Sequence, residues 1–216
     1  MIETIIIDLD GPILEGKVRH YTCYRQILEA HGYIAVSLEE YWEMKCDRVP
    51  LQQQLAASNA TQIHADFVQA WLSEIEQPEL LALDRLQPGV IEKLTQWRSQ
   101  GLKLVLATLR RYPEHLDQQL ANFHLDTLLN HVLVCEHRLG SFGKVQQVKN
   151  TIPDISPNHS LWIGDTEIDI EAAKLLGCPI WAVSCGIRTS SYLASLSPDF
   201  ISLDFTQIDL GCFYEN

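Results

Sequence analysis

Ile5-Ile6-Ile7-Asp8-Leu9-Asp10-Gly11 is the stretch on which the reading of this chain turns. Three consecutive β-branched residues read as a short buried strand. Asp8 and Asp10 stand at its end, one residue apart, and Gly11 lets the chain turn. A buried strand has no structural use for two acids there. Like charges ~4 Å apart repel by ~1 kcal/mol in water and by ~4 kcal/mol at an effective dielectric of 20. The pair must repel or share a cation, so the strand's carboxyl end is a candidate metal and nucleophile site.

Further apolar runs of the same character are Leu102–Ala107, Val132–Val134, Leu161–Gly164, Ile180–Ser184 and Phe200–Leu203. Helical patterns separate the later ones. Pro88-Gly89 opens one that ends before Gly101, and others cover Tyr112–Phe123, Phe142–Asn150 and Thr166–Leu176, the last stopped by Gly177 and Pro179. Strands apolar on both faces, alternating with helices, indicate an α/β fold: a parallel sheet with helices on both sides.

One interval breaks this rhythm. About ninety residues separate the first strand from Leu102, far more than a normal crossover. Tyr21, Tyr24, Ile27, Leu28 and His31 fall at helical spacing, and Gly32 follows as a stop. Ser37-Leu38-Glu39-Glu40 is a capping box. Pro50 opens the next helix, and Thr61 caps one that carries Phe67, Val68, Trp71, Leu72 and Ile75. The expected organisation is a catalytic core of residues 1–14 and 86–216 with a helical insertion at 15–85. An insertion directly after the two acids is well placed to act as a lid.

Composition narrows the class. The chain has 216 residues, is 46% hydrophobic and carries a formal charge of −12. That length buries roughly 70% of the unfolded surface. The acidic balance argues against nucleic acid and anionic membrane as partners, since both need a basic face. A small anionic substrate needs only local positive groups and a metal. No apolar run approaches the ~18 residues of a membrane helix. The start, Met1-Ile2-Glu3-Thr4, has no basic leader, and the six cysteines show no close pairing. The expectation is reduced thiols in a cytoplasm.

In open α/β sheets, ligands bind beyond the carboxyl ends of strands. Those positions hold Asp8 and Asp10 after the first strand, Thr108 with Arg110 and Arg111 after the second, and Asp165 with Asp169 after Leu161–Gly164. Lys144 follows Gly140-Ser141-Phe142-Gly143 at the start of a helix. Each has a role if the substrate is a phosphate. Asp8, Asp165 and a backbone carbonyl can ligate Mg²⁺, which takes few carboxylates and keeps several waters. Asp169, on one helix face with Asp165, can hold one of those waters. Lys144 can offset the phosphate's charge, and Thr108 offers a hydroxyl and N–H at a helix amino end.

This ordered set resembles the haloacid dehalogenase superfamily. Its DxDG motif matches Asp8-Leu9-Asp10-Gly11, its strand-closing Thr or Ser matches Thr108, its Lys fits Lys144, and its GDxxxD matches Gly164-Asp165 through Asp169. The helical insertion resembles that of the C1-capped, phosphoglycolate-phosphatase-like branch (subfamily IA). The resemblance implies a Rossmann-like three-layer core with a helical cap. It implies Mg²⁺ held by Asp8, Asp10, Asp165 and Asp169, and a phosphate cradle of Gly11, Thr108, Leu109, Arg110 and Lys144. Pro12 and Leu109 stand where the family often has Thr and a small polar residue. Val145 stands in place of a Pro after Lys144, with Lys149 a rival for the lysine role.

The implied chemistry is attack by Asp8 on phosphorus, giving a phosphoaspartyl intermediate, with Asp10 as acid and then base. The implied substrate is a small phosphorylated metabolite. Dehalogenases of the superfamily usually lack the second acid, so Asp10 favours phosphoryl transfer. A phosphomutase and a binding protein on the same scaffold are the alternatives. Trp97, Trp162 and Trp181 read as core, and Cys135 and Cys185 as buried filler near strand ends. His115, His124, His131 and His137 read as surface or satisfied histidines, and Lys17, Arg19, Lys45 and Arg48 as solvated charges.

Overall fold

The isoleucine run forms β1 (Thr4–Ile7), buried along its whole length, in a computed structural model that describes residues 1–213. Its pleat sends Ile5 and Ile7 to one face of the sheet and Ile6 to the other. Ile5 and Ile7 pack with Leu104, Leu106, Leu161 and Ile163. Ile6 packs with Val105, Ala107, Trp162 and Ile170 in a second core. One strand thus serves two cores, so it needs apolar bulk on both sides.

Two short strands, β2 (Leu14–Glu15) and β3 (Arg85–Leu86), bracket the helical insertion in sequence. The sheet is completed by β4 (Lys103–Thr108), β5 (His131–Val134), β6 (Ser160–Gly164), β7 (Ile180–Val183) and β8 (Phe200–Ser202). Its order is β5-β4-β1-β6-β7-β8, with every pairing parallel. Ile7 lies opposite Leu106 on one side and Ile163 on the other. Strand order therefore reverses at β1, and the carboxyl ends of β1, β4 and β6 flank that switch point. All the apolar runs read from the sequence are strands of this sheet, and it is the α/β three-layer core that the pattern implied.

The chain divides into two compact units: Met1–Glu15 with the residues from Leu86 onward, and Gly16–Arg85. The second unit contains α1 (Lys17–Ala30), α2 (Leu38–Cys46), α3 (Leu51–Ala57), α4 (His64–Glu74) and α5 (Pro78–Leu81). Its core is aromatic, with Tyr24 stacked on Tyr41 at 4.4 Å between centroids and Phe67 edge-on at 5.8 Å. Ser37 Oγ accepts from the Glu40 N–H at 3.2 Å, the cap its sequence signals.

Two expectations fail in this unit. Thr61 makes no side-chain cap: it begins a 3-10 turn, Thr61–Ile63, and α4 starts at His64. Arg19 is not a solvated charge. It is 2% exposed, and its Nε donates to Asp84 Oδ1 at 2.7 Å. Sixty-five residues separate the partners, so local sequence could not pair them.

In the first unit α6 (Val90–Ser99), α7 (Pro113–Asn122), α8 (Gly140–Thr151), α9 (Glu167–Leu176) and α10 (Ser190–Ser195) connect or follow the strands. α8 begins two residues before its expected start and takes in Gly143. A Cβ on Gly143 would lie 2.8 Å from Glu136 O, so this helix starts hard against the preceding turn. Trp97, Trp162 and Trp181 are buried as expected, and all six cysteines are free thiols. Among the described residues no helix is long and apolar enough to cross a membrane.

Candidate active site

The acids converge where the strands end. Asp8 directly follows β1, and its N–H continues the ladder to Ile163 O at 3.0 Å. Asp165 directly follows β6, and Asp169 lies in the first turn of α9. Asp165 thus precedes the helix, and the shared helix face anticipated for this pair is not how they meet. The two come together because the chain turns at Thr166. One carboxylate oxygen from each of Asp8, Asp165 and Asp169 lies within 4.8 Å of the others, and all three residues are buried.

Lys144 joins this group from α8. It is 2% exposed, and its Nζ donates to Asp8 Oδ1 at 2.8 Å and to Asp169 Oδ1 at 2.7 Å. Lys149 is exposed in the last turn of α8, so Lys144 is the lysine beside the acids. Three carboxylates and one ammonium sum to −2 when all are ionised. A divalent cation has the opposite charge.

Asp165 has the most constrained carboxylate. Its Oδ2 accepts from the Ile187 N–H at 2.6 Å. A Cβ on Gly11 would lie 2.2 Å from Asp165 Cγ, and one on Gly186 would lie 2.0 Å from Asp165 Oδ2. Gly11 also sits at φ +105°, a conformation that L side chains rarely adopt. Both glycines are therefore there to let the backbone close on this acid. Asp165 Oδ1 is buried with no hydrogen-bond partner among the described residues. An uncompensated buried anionic oxygen is strongly unfavourable. An orphaned oxygen, a surplus of negative charge and an all-carboxylate donor set fit a hard cation such as Mg²⁺.

The electrostatics follow from that crowding. Burial pushes the Asp8 carboxyl up to about 7, the Lys144 ammonium opposes the rise, and Asp169 and Asp10 add to it. Burial likewise raises Asp165 well above the carboxylate range, reinforced by Asp8 and Asp169. For Lys144, burial favours the neutral amine, but the Asp169 and Asp8 carboxylates outweigh it and hold the ammonium. Without a cation the cluster resists full ionisation.

Asp10 differs from the expected metal set. Its carboxylate is outside the three-acid group and accepts two bonds from Arg110, at 2.6 Å from Nε and 2.7 Å from Nη2. Arg110 is buried and the Asp10 side chain is partly exposed, so this two-point pair is sheltered on the arginine's side. Thr108 is buried at the end of β4, and its Oγ1 accepts from the Arg110 N–H at 3.3 Å. It is not at a helix amino end, because α7 begins only at Pro113. Leu109 is partly buried against the core face that holds Ile6.

Several supports have no sequence signal. Trp162 Nε1 approaches Asp169 Oδ1 at 3.4 Å, and Thr166 Oγ1 donates to Asp169 Oδ2 at 2.8 Å. The buried Gln87 donates to Gly11 O at 2.9 Å and Cys185 O at 3.0 Å. Trp162 read correctly as core, but its indole also steadies an acid. The periodicity of β6 places that ring inside the protein and says nothing about its N–H.

The helical unit has a cavity of its own. It is a half-open pocket of about 160 Å³ between α2, α3 and α4, lined by Tyr41, Lys45, Phe67 and Trp71 among others. Lys45 Nζ lies 5.3 Å from the Trp71 ring centroid, so this lysine lies against an aromatic face.

Comparison with known proteins agrees with this geometry. The chain is 23% identical over 197 residues to the phosphoglycolate phosphatase of Rhodobacter capsulatus, covering 87% of each. It is 23% identical over 226 residues to that of Vibrio parahaemolyticus, covering 96% of this chain and 94% of the relative. Among solved structures, a haloacid dehalogenase-like family hydrolase from Streptococcus pneumoniae superposes with a TM-score of 0.75 at 18% identity, covering 94% of each chain. A predicted phosphoglycolate phosphatase from Haemophilus somnus gives 0.74 at 21% identity, covering 94% of this chain and 95% of that one. Residues 5–183 match the family model for haloacid dehalogenase-like hydrolases, a span that includes every acid of the site and Lys144. The chain belongs to the haloacid dehalogenase-like hydrolases.

Proposed function

We propose that this protein is a Mg²⁺-dependent phosphatase acting on a small phosphomonoester through a phosphoaspartyl intermediate on Asp8. The observation that carries the reading is the meeting of Asp8, Asp165 and Asp169 with buried Lys144 at the strand ends, one Asp165 oxygen unsatisfied. The relatives named as phosphoglycolate phosphatases, at 23% identity, support a small phosphorylated metabolite as substrate.

Asp8 and Asp165, with Asp169 behind them, would hold the cation. Bound Mg²⁺ supplies positive charge to the phosphoryl oxygens and to carboxylates that otherwise repel each other. Lys144 fixes Asp8 Oδ1, leaving Oδ2 without a hydrogen bond among the described residues. That oxygen attacks phosphorus, and the bond to the leaving-group oxygen breaks. Asp10 gives the leaving oxygen a proton, then takes one from the water that cleaves the acyl phosphate. A carboxylate held at two points by Arg110 cannot also carry that proton. Arg110 therefore releases Asp10 when the substrate arrives, and the phosphate offers the guanidinium another anion. The insertion of the Gly16–Arg85 unit shortly after Asp10 and Gly11 in the sequence supports reading it as a cap.

The test is a hydrolysis assay on purified protein with p-nitrophenyl phosphate, phosphoglycolate and a panel of sugar and nucleoside monophosphates. Phosphate release that requires Mg²⁺ and stops with chelator is expected. Release from no phosphomonoester, or release indifferent to chelator, contradicts the reading.

A further inference from the structure

We infer that the Arg188–Glu167 ion pair is a positioning device that sets the affinity of the acidic cluster for its cation; the inference rests on the metal-site reading above. The residues around Asp165 are tied down one after another. Asp165 Oδ2 accepts from Ile187 N–H at 2.6 Å, and the Thr166 hydroxyl donates to Asp169 at 2.8 Å. Glu167 then accepts from Arg188 at two points, Oε2 from Nε at 2.9 Å and Oε1 from Nη2 at 3.1 Å.

The two strand-end loops are therefore stitched twice, at neighbouring residues on both sides. Ile187 and Arg188 are consecutive after β7. Asp165 and Glu167 are two apart after β6. The first stitch touches the metal-site acid, and the second holds the loop that makes the first. Gly186 brings that loop so close that a Cβ would lie 2.0 Å from Asp165 Oδ2. With the Ile187 N–H bonded to Oδ2 at 2.6 Å, a drift of the loop moves the carboxylate. Held in place, Ile187 satisfies Oδ2 and leaves Oδ1 as the orphan. Released, the loop no longer dictates which oxygen is available.

The pair is partly sheltered, with side chains 15% and 27% exposed, and its geometry is two-point. Such pairs contribute up to about 1 kcal/mol, equivalent to about fivefold in affinity. The sign of the effect separates positioning from simple charge. Removing a nearby cation should by itself tighten Mg²⁺ binding, and removing a nearby anion should weaken it. If the pair acts by positioning, Arg188→Gln and Glu167→Gln both weaken binding.

The experiment measures Mg²⁺ affinity by calorimetry, and by Mn²⁺ resonance as a second probe, on the full chain and on both variants. The double variant and Arg188→Lys complete the set, with circular dichroism to verify folding. The expected result is a Kd raised about fivefold in both single variants and no further in the double variant, with Arg188→Lys between. Tighter or unchanged binding by Arg188→Gln, or effects that multiply in the double variant, overturns the inference while binding by the parent leaves the metal site standing. Absence of Mg²⁺ and Mn²⁺ binding by the parent overturns both.

Discussion

Replacing Lys144 with Met tests how the acidic cluster is held together. Lys144 donates to two buried carboxylates at 2.7 and 2.8 Å and is itself 2% exposed. Met fills most of its volume, so the variant removes charge more than bulk. Breaking a buried ion pair by deleting one partner costs ~3–5 kcal/mol, because the remaining charge loses its compensation. Here the ammonium faces the Asp8 and Asp169 carboxylates, and that range applies at alkaline pH. For a chain of this size each kcal/mol moves Tm by ~2–4 °C, so the loss is ~6–20 °C at pH 8. Neutralised acids do not need the lysine. Asp8 titrates at about 7, so at pH 5 it is protonated and the penalty shrinks. Saturating Mg²⁺ at about 100 times its Kd returns ~2.7 kcal/mol through mass action. Differential scanning calorimetry at both pH values, with and without Mg²⁺, reads all of this. A Lys144→Met protein melting within ~2 °C of the parent at pH 8 refutes the reasoning.

Further expectations concern the same site and the helical unit. The metal-free protein is more stable at pH 5 than at pH 8. Asp8 has a folded value of about 7 against an ordinary 3.8, so its contribution is complete below about pH 4 and is lost as pH rises through 7. That shift corresponds to ~4 kcal/mol. Mg²⁺ should therefore raise Tm more at pH 8 than at pH 5, and equal shifts at both would contradict the assignment. Gly186→Ala places a methyl 2.0 Å from Asp165 Oδ2, so stability falls by ~1–3 kcal/mol and Mg²⁺ affinity drops with it. Chemical denaturation and metal titration of that variant check both. In the helical unit, Arg19→Met removes the buried ion pair to Asp84 and costs ~3–5 kcal/mol, read by urea unfolding; a change under 1 kcal/mol would refute the buried pairing.

The parallel sheet was legible because β1, β4 and β6 are buried on both faces and therefore carry apolar runs (Ile5–Ile7, Leu104–Ala107 and Leu161–Ile163). The chemistry-bearing acids were legible for the opposite reason. Charges at the ends of such strands conflict with their surroundings and stand out. Lys144 was legible from its place ahead of β6, and its burial between two acids separates it from exposed Lys149. What stayed hidden depends on partners far apart in sequence. Arg110 read as a phosphate ligand, and its clasp on Asp10 a hundred residues away had no local signal. Arg19 looked like a surface charge and closes on Asp84. Ile187 contributes a backbone N–H, which no side-chain pattern can announce. Thr61 shows the limit of local signals: a good capping residue was displaced by a 3-10 turn that carries Ile63 into the core.

The central claim is that Asp8 is the nucleophile of a Mg²⁺-dependent phosphatase. Asp8→Asn keeps the shape of the side chain and a hydrogen-bond acceptor for Lys144 while removing the attacking carboxylate. Its turnover of p-nitrophenyl phosphate at saturating Mg²⁺ is the most direct measurement, made on folded variant and parent side by side. Turnover by the parent and none above background by Asp8→Asn is the predicted result; Mg²⁺-dependent turnover undiminished in Asp8→Asn contradicts it.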